Sequence, residues 1–228
     1  MRISLLHPSR NRPIKCFEAV YYWLSKASGK HQFEYIISVD EDEIMITDYL
    51  DLLKKAAVAF PKVNFTFMSW SNGYVVDATN NAAKGATGDI LVFVADDFRC
   101  PHHWDDYIVN RIGHLPKAAL MVDDCCQKNN NLLTLPIITK GVYDELGYFF
   151  HPEFKSMFCD NYIYEQVKRA GYLIEALDLK FPHHHFSNVN LELRSDPDEV
   201  YFRSNNLYDS GRQIFNRLSE KNGWGLKY

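Results

Sequence analysis

Apolar residues come along this chain in short dense runs, and most of these runs end in polar or acidic residues. RISLLHPS, Arg2 to Ser9, is a brief apolar strand that closes on a turn. NRPIKCFEAVYYWLSKAS, residues 11–28, sets Ile14, Phe17, Val20, Tyr21 and Leu24 at helical spacing. FEYIISVDEDE, residues 33–43, is a second strand, running from apolar residues into Asp40, Glu41 and Asp42. A helix over DYLDLLKKAAVAF, residues 48–60, is expected next, capped by Thr47 and stopped by Pro61. VNFTFMSW, residues 63–70, is a third strand, and Asp77 to Lys84 a helix ending near Gly85. GDILVFVADDF, residues 88–98, reads as a strand buried on both faces, of the kind found in parallel sheets. It finishes on Asp96 and Asp97, at the carboxyl end, where open α/β sheets bind their ligands.

Strands alternating with helices over the first hundred residues imply a parallel sheet with right-handed crossovers. After Pro101 the pattern loosens. HHWDDYIVNRIGHL reads as a helix, AALMV and LLTLPIIT as strands flanking the polar loop DDCCQKNNN, and VYDELGYF as a short helix ending at Gly147. CDNYIYEQVKRAG is a helix with Gly171 as its stop, and YLIEALDLKFPHHHF a strand. From Val189 the chain turns polar, with one more helix near Leu207 to Leu218.

Composition narrows this picture. At 228 residues the chain can bury a full core as one domain with a modest appendage. A net charge of −4 disfavours broad electrostatic capture of nucleic acid or anionic membrane, and no basic cluster points to nucleic acid. Five cysteines, two of them adjacent at Cys125 and Cys126, do not form a disulfide framework, so a reducing cytoplasm is expected. ISLL is followed at once by HPSRNRP, which is no secretory signal, and no stretch reaches the ~20 apolar residues of a membrane span.

The order of motifs resembles the A-type glycosyltransferases, most closely glycosyltransferase family 2. The family's run A-x-N, A-x-G-[DE], D-x-D is met by Ala78-Thr79-Asn80, Ala86-Thr87-Gly88-Asp89 and Ala95-Asp96-Asp97. ITKGVYDELGYFFHPEF is similar to the family's acceptor-side segment, and FCDNYIYEQVKRAGY to its helix carrying the catalytic base. FPHHHF falls where many members carry a metal-binding histidine. One departure is Ala95, which stands at the first acid of D-x-D.

The resemblance implies a GT-A type nucleotide-diphospho-sugar transferase fold, a mostly parallel central sheet flanked by helices. Residues 1–188 would form one catalytic domain, with a nucleotide-binding half at 1–100 and an acceptor-side half at 101–188. Residues 189–228 would form a C-terminal tail with a helix, a candidate lid whose Arg194 and Arg203 close over the diphosphate. Asp160 stands at the catalytic-base position of an inverting hexosyltransferase, with the helix N-terminus expected to favour its ionised form. Asp97 stands at the metal-ligating position, and Asp96 is placed to compensate for Ala95. A cation holding the departing diphosphate would be Mn²⁺ or Mg²⁺, the former tolerating imidazole. Strand alternation favours His183 or His185 over His184 as its second ligand. Pro8, Ser9, Arg12, Asp40, Asn80, Lys84 and Asp96 are the expected donor-binding residues.

Beside each reading stands a plainer one. Asp96 and Asp97 can end a strand, Asp160 can cap a helix, and the histidines can form a solvated turn. Trp104, Tyr148, Phe149 and Phe150 offer a stacking platform but fit the core better. The donor is expected to be a UDP-sugar; the acceptor is open among glycans, lipids, proteins and modified nucleic-acid bases. Two other functions compete: a sugar-nucleotidyltransferase, whose Gly-rich loop LLHPSRNRP lacks, and a non-catalytic nucleotide-sugar-binding relative, suggested by Ala95.

Overall fold

The computed structural model describes residues 1–71, 73–126 and 132–228. Its centre is a seven-stranded sheet built from β1 (Arg2–Pro8), β2 (Gln32–Asp40), β3 (Asn64–Trp70), β4 (Ile90–Phe93), β5 (Ala119–Asp123), β6 (Ile137–Thr139) and β7 (Leu173–Lys180). The order across the sheet is β3-β2-β1-β4-β6-β5-β7. Only β6 is antiparallel, to β4 on one side and β5 on the other. Helices α1 (Pro13–Ser25), α2 (Ile46–Ala59), α3 (Val75–Gly85), α4 (Trp104–Ile112), α5 (Lys140–Leu146) and α6 (Cys159–Arg169) fill the connections. A 3₁₀ turn (Leu191–Leu193), α7 (Glu199–Asn205) and α8 (Tyr208–Lys221) complete the chain. No helix is long and apolar enough to cross a membrane, searched over the described residues.

The chain lays down β1, β2 and β3 in one direction and then returns to put β4 on the other side of β1. That reversal opens a crevice between the carboxyl ends of β1 and β4, the switch point at which sheets of this kind hold ligands. The middle strands are buried on both faces: Ile3, Leu5, Leu6, Ile90, Leu91 and Val92 are all inaccessible. Each such side chain contributes roughly 1.5–3 kcal/mol, so the floor of the crevice is firmly held.

Several elements differ from the sequence expectation. β4 stops at Phe93, so Asp96 and Asp97 lie in the turn beyond it; there Val94 N–H still bonds Leu6 O at 2.8 Å and Phe98 N–H closes on Ala95 O at 3.3 Å. β7 stops at Lys180, leaving Phe181 to Phe186 outside the strand. Thr47 does not cap α2, which begins two residues earlier than expected, at Ile46 behind Met45. LLTLPIIT contributes only three residues to β6, and residues 127–131 of the expected polar loop lie outside the described residues. The Thr87-Gly88 pair serves the far edge of the sheet. Both amides donate to the buried Glu34 carboxylate, and a side chain at Gly88 would collide with Ser4.

Trp104, Phe149 and Phe150 are core residues. Trp104 stacks edgewise on Trp23 at 5.0 Å and donates its indole N–H to the Trp23 carbonyl at 2.9 Å, which settles its polar atom indoors. The last helix is not a free tail. Phe215 and Leu218 of α8 are buried, Phe215 near Phe158 and Tyr162, so α8 closes the same core beside α6.

Candidate functional site

The turn after β1 is clamped onto the β2–α2 connection. Ser9 N–H donates to Ser38 O at 3.1 Å, Asn11 N–H to the Glu43 carboxylate at 2.7 Å, and Arg12 N–H to Tyr49 Oη at 3.0 Å. Asn11 accepts a positive φ of 53° in the process, and Pro13 starts α1 where a missing N–H costs nothing. Pro8, Ser9 and Arg12 therefore sit on one wall of the crevice.

The turn after β4 forms the opposite wall, and its two acids have different surroundings. Asp96 is buried and faces inward: His7 Nε2 lies 2.9 Å from one carboxylate oxygen, and Ser9 Oγ donates at 3.1 Å to the other. His7 in turn meets Tyr35 Oη at 2.8 Å, with Cys16 beside it. His7, Cys16 and Asp96 converge closely enough to ligate an ion, but this network already occupies their polar atoms. Asp96 is thus a member of the wall; only Arg12, 3.7 Å away, links it to the mouth.

Asp97 faces the other way. Its carboxylate lies 3.3 Å from His183 Nε2, its sole ion-pair partner among the described residues. Four backbone bonds hold the pair in register. His184 N–H donates to Asp97 O and His183 N–H to Asp124 O, each at 2.9 Å; Arg99 N–H donates to Pro182 O at 2.9 Å and Phe181 N–H to Asp123 O at 2.8 Å. The His183 ring lies flat on Phe98, centroids 4.1 Å apart at 13°. These bonds, rather than strand alternation, orient the histidine run. Burial works against ionisation of Asp97, but the His183 hydrogen bond and the charges of His183, Arg12 and His185 outweigh it, and the carboxyl is held below its ordinary range.

An adjacent oxygen and nitrogen 3.3 Å apart match two neighbouring ligands of a six-coordinate divalent ion, about 3 Å apart for ligand distances near 2.1 Å. Among the described residues His183 Nδ1 has no hydrogen-bond partner, and the ring is held in the protein through its Nε2 contact with Asp97 and its stacking on Phe98. The residues fit a cation held by two protein ligands. His185 Nδ1 is engaged by Ser187 Oγ at 2.7 Å, which leaves its Nε2, and no cluster of three ligand atoms forms here among the described residues. His184 shares its backbone with the pair, its carbonyl accepting Ser195 Oγ–H at 2.6 Å.

Asp160 sits in the first turn of α6, one residue after Cys159. It is not the cap; Phe158 is, in a left-handed conformation with φ 70°. The expectation that the helix end would favour ionisation is corrected. Burial raises the Asp160 pKa to about 6, assisted by Asp124, although the Asn161 and Asp160 amides and His183 act in the opposite sense. The His183 charge is felt by both Asp97 and Asp160.

Two expected donor residues have their side chains engaged within the protein. Asn80 spends its amide on the backbone of the 147–150 turn: Phe149 and Phe150 N–H donate to Oδ1 at 3.0 and 2.9 Å, and Nδ2 donates to Phe150 O at 2.8 Å. Lys84 lies in the last turn of α3, which returns the chain to the N-terminal edge of the sheet, opposite the crevice. There it donates to Asn81 Oδ1 at 3.1 Å.

Asp40 ends β2 at the crevice and is nearly buried beneath two arginines. Arg10 bridges it to Asp42, and Arg203 Nη1 approaches to 3.6 Å. Arg203 comes from α7, stacks on Tyr74 at 4.6 Å and donates to the Gly73 carbonyl. Asp198, capping the same helix, pairs with Arg12 and, at 3.5 Å, with Lys15. The C-terminal segment thus covers the mouth of the crevice. Asp198 carried no motif, and its partner lies 186 residues away, so no local pattern could reveal it. Arg194 is turned aside, donating to Asn188 O at 2.7 Å. An open polar cavity of about 500 Å³ lies at the other edge of the sheet, lined by Arg2, Lys30, Thr87 and Asp89, away from these groups.

No protein-family model matches the sequence, and no curated protein matches it either. Solved structures do match the fold. S. aureus TarS 1–349 in complex with UDP aligns with a TM-score of 0.64 and 15% identity, over 79% of this chain and 59% of that one. The mannosyltransferase PcManGT from Pyrobaculum calidifontis, in complex with GDP-Man and Mn²⁺, aligns at 0.62 and 16%, over 80% and 56%. A second S. aureus TarS 1–349 structure aligns at 0.62 and 14%, covering 100% of this chain and 75% of the other. The chain spans under two thirds of the first two. Its fold is GT-A-like, as its motifs imply, and is shared with a mannosyltransferase.

Proposed function

We propose that the chain is an inverting, metal-dependent glycosyltransferase that moves a sugar from a nucleotide-diphosphate donor, preferentially a UDP-sugar, to an acceptor hydroxyl. The observation that carries this reading is the pairing of Asp97 with His183, joined electrostatically by Asp160, a part-buried acid whose pKa is raised to about 6. A cation, Mn²⁺ or Mg²⁺, held by Asp97 and His183 would neutralise the charge that develops on the leaving diphosphate. The likeness to structures that hold UDP or GDP-Man with Mn²⁺ supports the donor class.

The chain's own groups divide the remaining work. Arg12, 3.7 Å from the Asp96 carboxylate and felt electrostatically by Asp97, attracts the diphosphate. Asp40 offers a carboxylate acceptor to the base or ribose at the end of β2. Asp160 accepts the acceptor's proton as its oxygen attacks the anomeric carbon; a carboxyl titrating near 6 is ionised at neutral pH yet more basic than an ordinary aspartate. Attack opposite the departing diphosphate inverts the sugar carbon. The segment from residue 189 acts as a lid, because Asp198 and Arg203 engage Arg12 and Asp40, the groups assigned to the donor.

Calorimetric titration of UDP with and without Mn²⁺ tests the donor site, and metal-linked binding is expected. A panel of nucleotide sugars scored by release of nucleoside diphosphate then tests turnover. Metal-linked binding without turnover on any donor would favour the non-catalytic relative; no metal-linked binding rejects the reading.

A further inference from the structure

Gly211 is the fourth residue of α8, and glycine in a helix interior weakens the helix. Its place is not explained by backbone conformation, because it adopts no positive φ. It is explained by space. A Cβ on Gly211 would lie 2.5 Å from the Met157 carbonyl oxygen and 3.1 Å from both the Met157 carbonyl carbon and Phe158 Cδ2. Real Cβ atoms do not approach backbone oxygen that closely, so any side chain here must push α8 away from the Met157–Phe158 peptide. Gly211 is itself buried in this contact.

That peptide belongs to the turn that starts α6. Phe158 adopts φ 70° and ψ 0°, a region that non-glycine residues enter only when their surroundings enforce it. The enforcing contacts come from α8 and the residues that follow it. The Phe158 ring meets Tyr208 edgewise at 5.0 Å and Tyr228 at 5.5 Å, with Phe215 at 6.2 Å. Asp160 follows two residues later, its backbone carbonyl accepting Leu133 N–H at 3.3 Å. Its carboxylate accepts Asn161 N–H at 2.9 Å and couples electrostatically to Asp124, His183 and Tyr228.

The geometry points to Gly211 as a positioning residue for the base: it lets α8 press directly on the Met157 carbonyl, which holds Phe158 in its left-handed turn and delivers Asp160 to the crevice. This rests on the assignment of Asp160 as base. Gly211 touches neither donor nor metal, so its substitution acts on the acceptor half of the reaction alone.

The test compares Gly211→Ala with wild type, Asp160→Asn and the neighbouring exposed Ser210→Ala, using the full chain, the most active donor and Mn²⁺. For Gly211→Ala a kcat about 10- to 100-fold lower is expected, since displacing a reacting group by about 1 Å costs that much. The donor KM and the affinity for Mn²⁺ and UDP should be unchanged, and Ser210→Ala should resemble wild type. Carbon-13 NMR titration of the Asp160 carboxyl gives a readout independent of turnover: its midpoint should fall from about 6 toward the ordinary carboxyl range as water reaches the loosened turn. A purely structural glycine would lower the melting temperature and move neither kcat of the folded enzyme nor the titration midpoint, and that result overturns the proposal. Should Gly211→Ala not fold, Tyr208→Ala, at a half-exposed position, removes one ring from Phe158 and should shift both readouts less in the same direction; no shift there also overturns it. Failure of the functional reading looks different, as an Asp160→Asn enzyme that turns over like wild type or a wild type inert toward every donor.

Discussion

His183 Nε2 stands 3.3 Å from the Asp97 carboxylate, and the backbone N–H of the next histidine donates to Asp97's own carbonyl at 2.9 Å. Side chains 86 positions apart in sequence are thus locked together by main-chain bonds before any ligand arrives, which reduces the ordering cost of binding a cation. Asp97→Ala and His183→Ala should each weaken Mn²⁺-dependent UDP binding by at least about 100-fold, since loss even of groups supporting a ligand costs 10- to 100-fold. His185→Ala should cost far less, since among the described residues it forms no three-ligand cluster with Asp97 and His183. Calorimetry with UDP and Mn²⁺ checks the ranking; equal losses in all three would return His185 to the ligand set.

Asp160 ties activity and stability to pH in opposite senses. A base must be ionised, so kcat/KM should rise through about pH 6 and level off above it, and Asp160→Asn should lose nearly all turnover without that limb. For stability, the folded-state pKa lies above that of the unfolded carboxyl, so the fold prefers the protonated acid. Its contribution is complete below about pH 4 and is lost as pH rises through about 6. Asp160→Asn should therefore be more stable than wild type at pH 8, on the order of 1–2 kcal/mol once partial solvent access is allowed for, and a few degrees in melting temperature. Melts at pH 5 and pH 8 check this; a gain that does not grow with pH would count against the buried acid.

Much of this was legible in the sequence, for a physical reason. Strands β1, β2 and β4 are buried on both faces, so their apolar runs are dense, and the residues following them had to lie at the carboxyl edge of the sheet. That is how Asp97 and Asp40 were found. Asp160 was found by resemblance to a family motif, but its pKa was not, because the helix end was visible in sequence and the burial around it was not. The histidine run was read as a strand although Pro182, which cannot donate to a ladder, stands two residues past the end of β7; the bridge from Phe98 to His183 that orients it is a long-range pairing. Asp198, His7 and Gly211 act through partners 186, 89 and 54 residues away, and such contacts leave no local pattern.

Asn80 offers a clean separation of motif from role. Its side chain makes three hydrogen bonds to the main chain of residues 149 and 150, tying α3 to the turn after α5. Asn80→Ala strands those backbone groups in a part-buried place, which costs about 1–3 kcal/mol, or several degrees in melting temperature at this size. UDP affinity in Mn²⁺ should stay within about twofold of wild type, far below the tenfold that 1.4 kcal/mol of lost contact would give. A variant that melts like wild type but binds UDP poorly would reinstate Asn80 as a donor contact.

The C-terminal segment makes the donor compete for its own site. Asp198 holds Arg12, and Arg203 lies 3.6 Å from Asp40, so a nucleotide diphosphate reaching these groups must first displace a carboxylate from one and a guanidinium from the other. Arg12 and Asp198 are both partly exposed, which limits their pairing to about 0.2–1 kcal/mol. Asp198→Ala should accordingly lower the donor KM by about two- to fivefold with kcat little changed, because only the ground state of the free enzyme has been relieved. The effect should shrink in high salt, which already screens the pair. Arg203→Ala separates two versions of the idea. If Arg203 only blocks Asp40, its removal also lowers KM; if, once displaced, it swings onto the diphosphate as the lid recloses, KM rises and kcat falls together. The chemistry favours the second outcome, because an arginine freed from Asp40 in a mouth newly filled with phosphate oxygens finds bidentate partners there. Measuring both constants for both variants at low and high salt decides it, and a donor KM for Asp198→Ala equal to or above wild type would remove the lid from the mechanism.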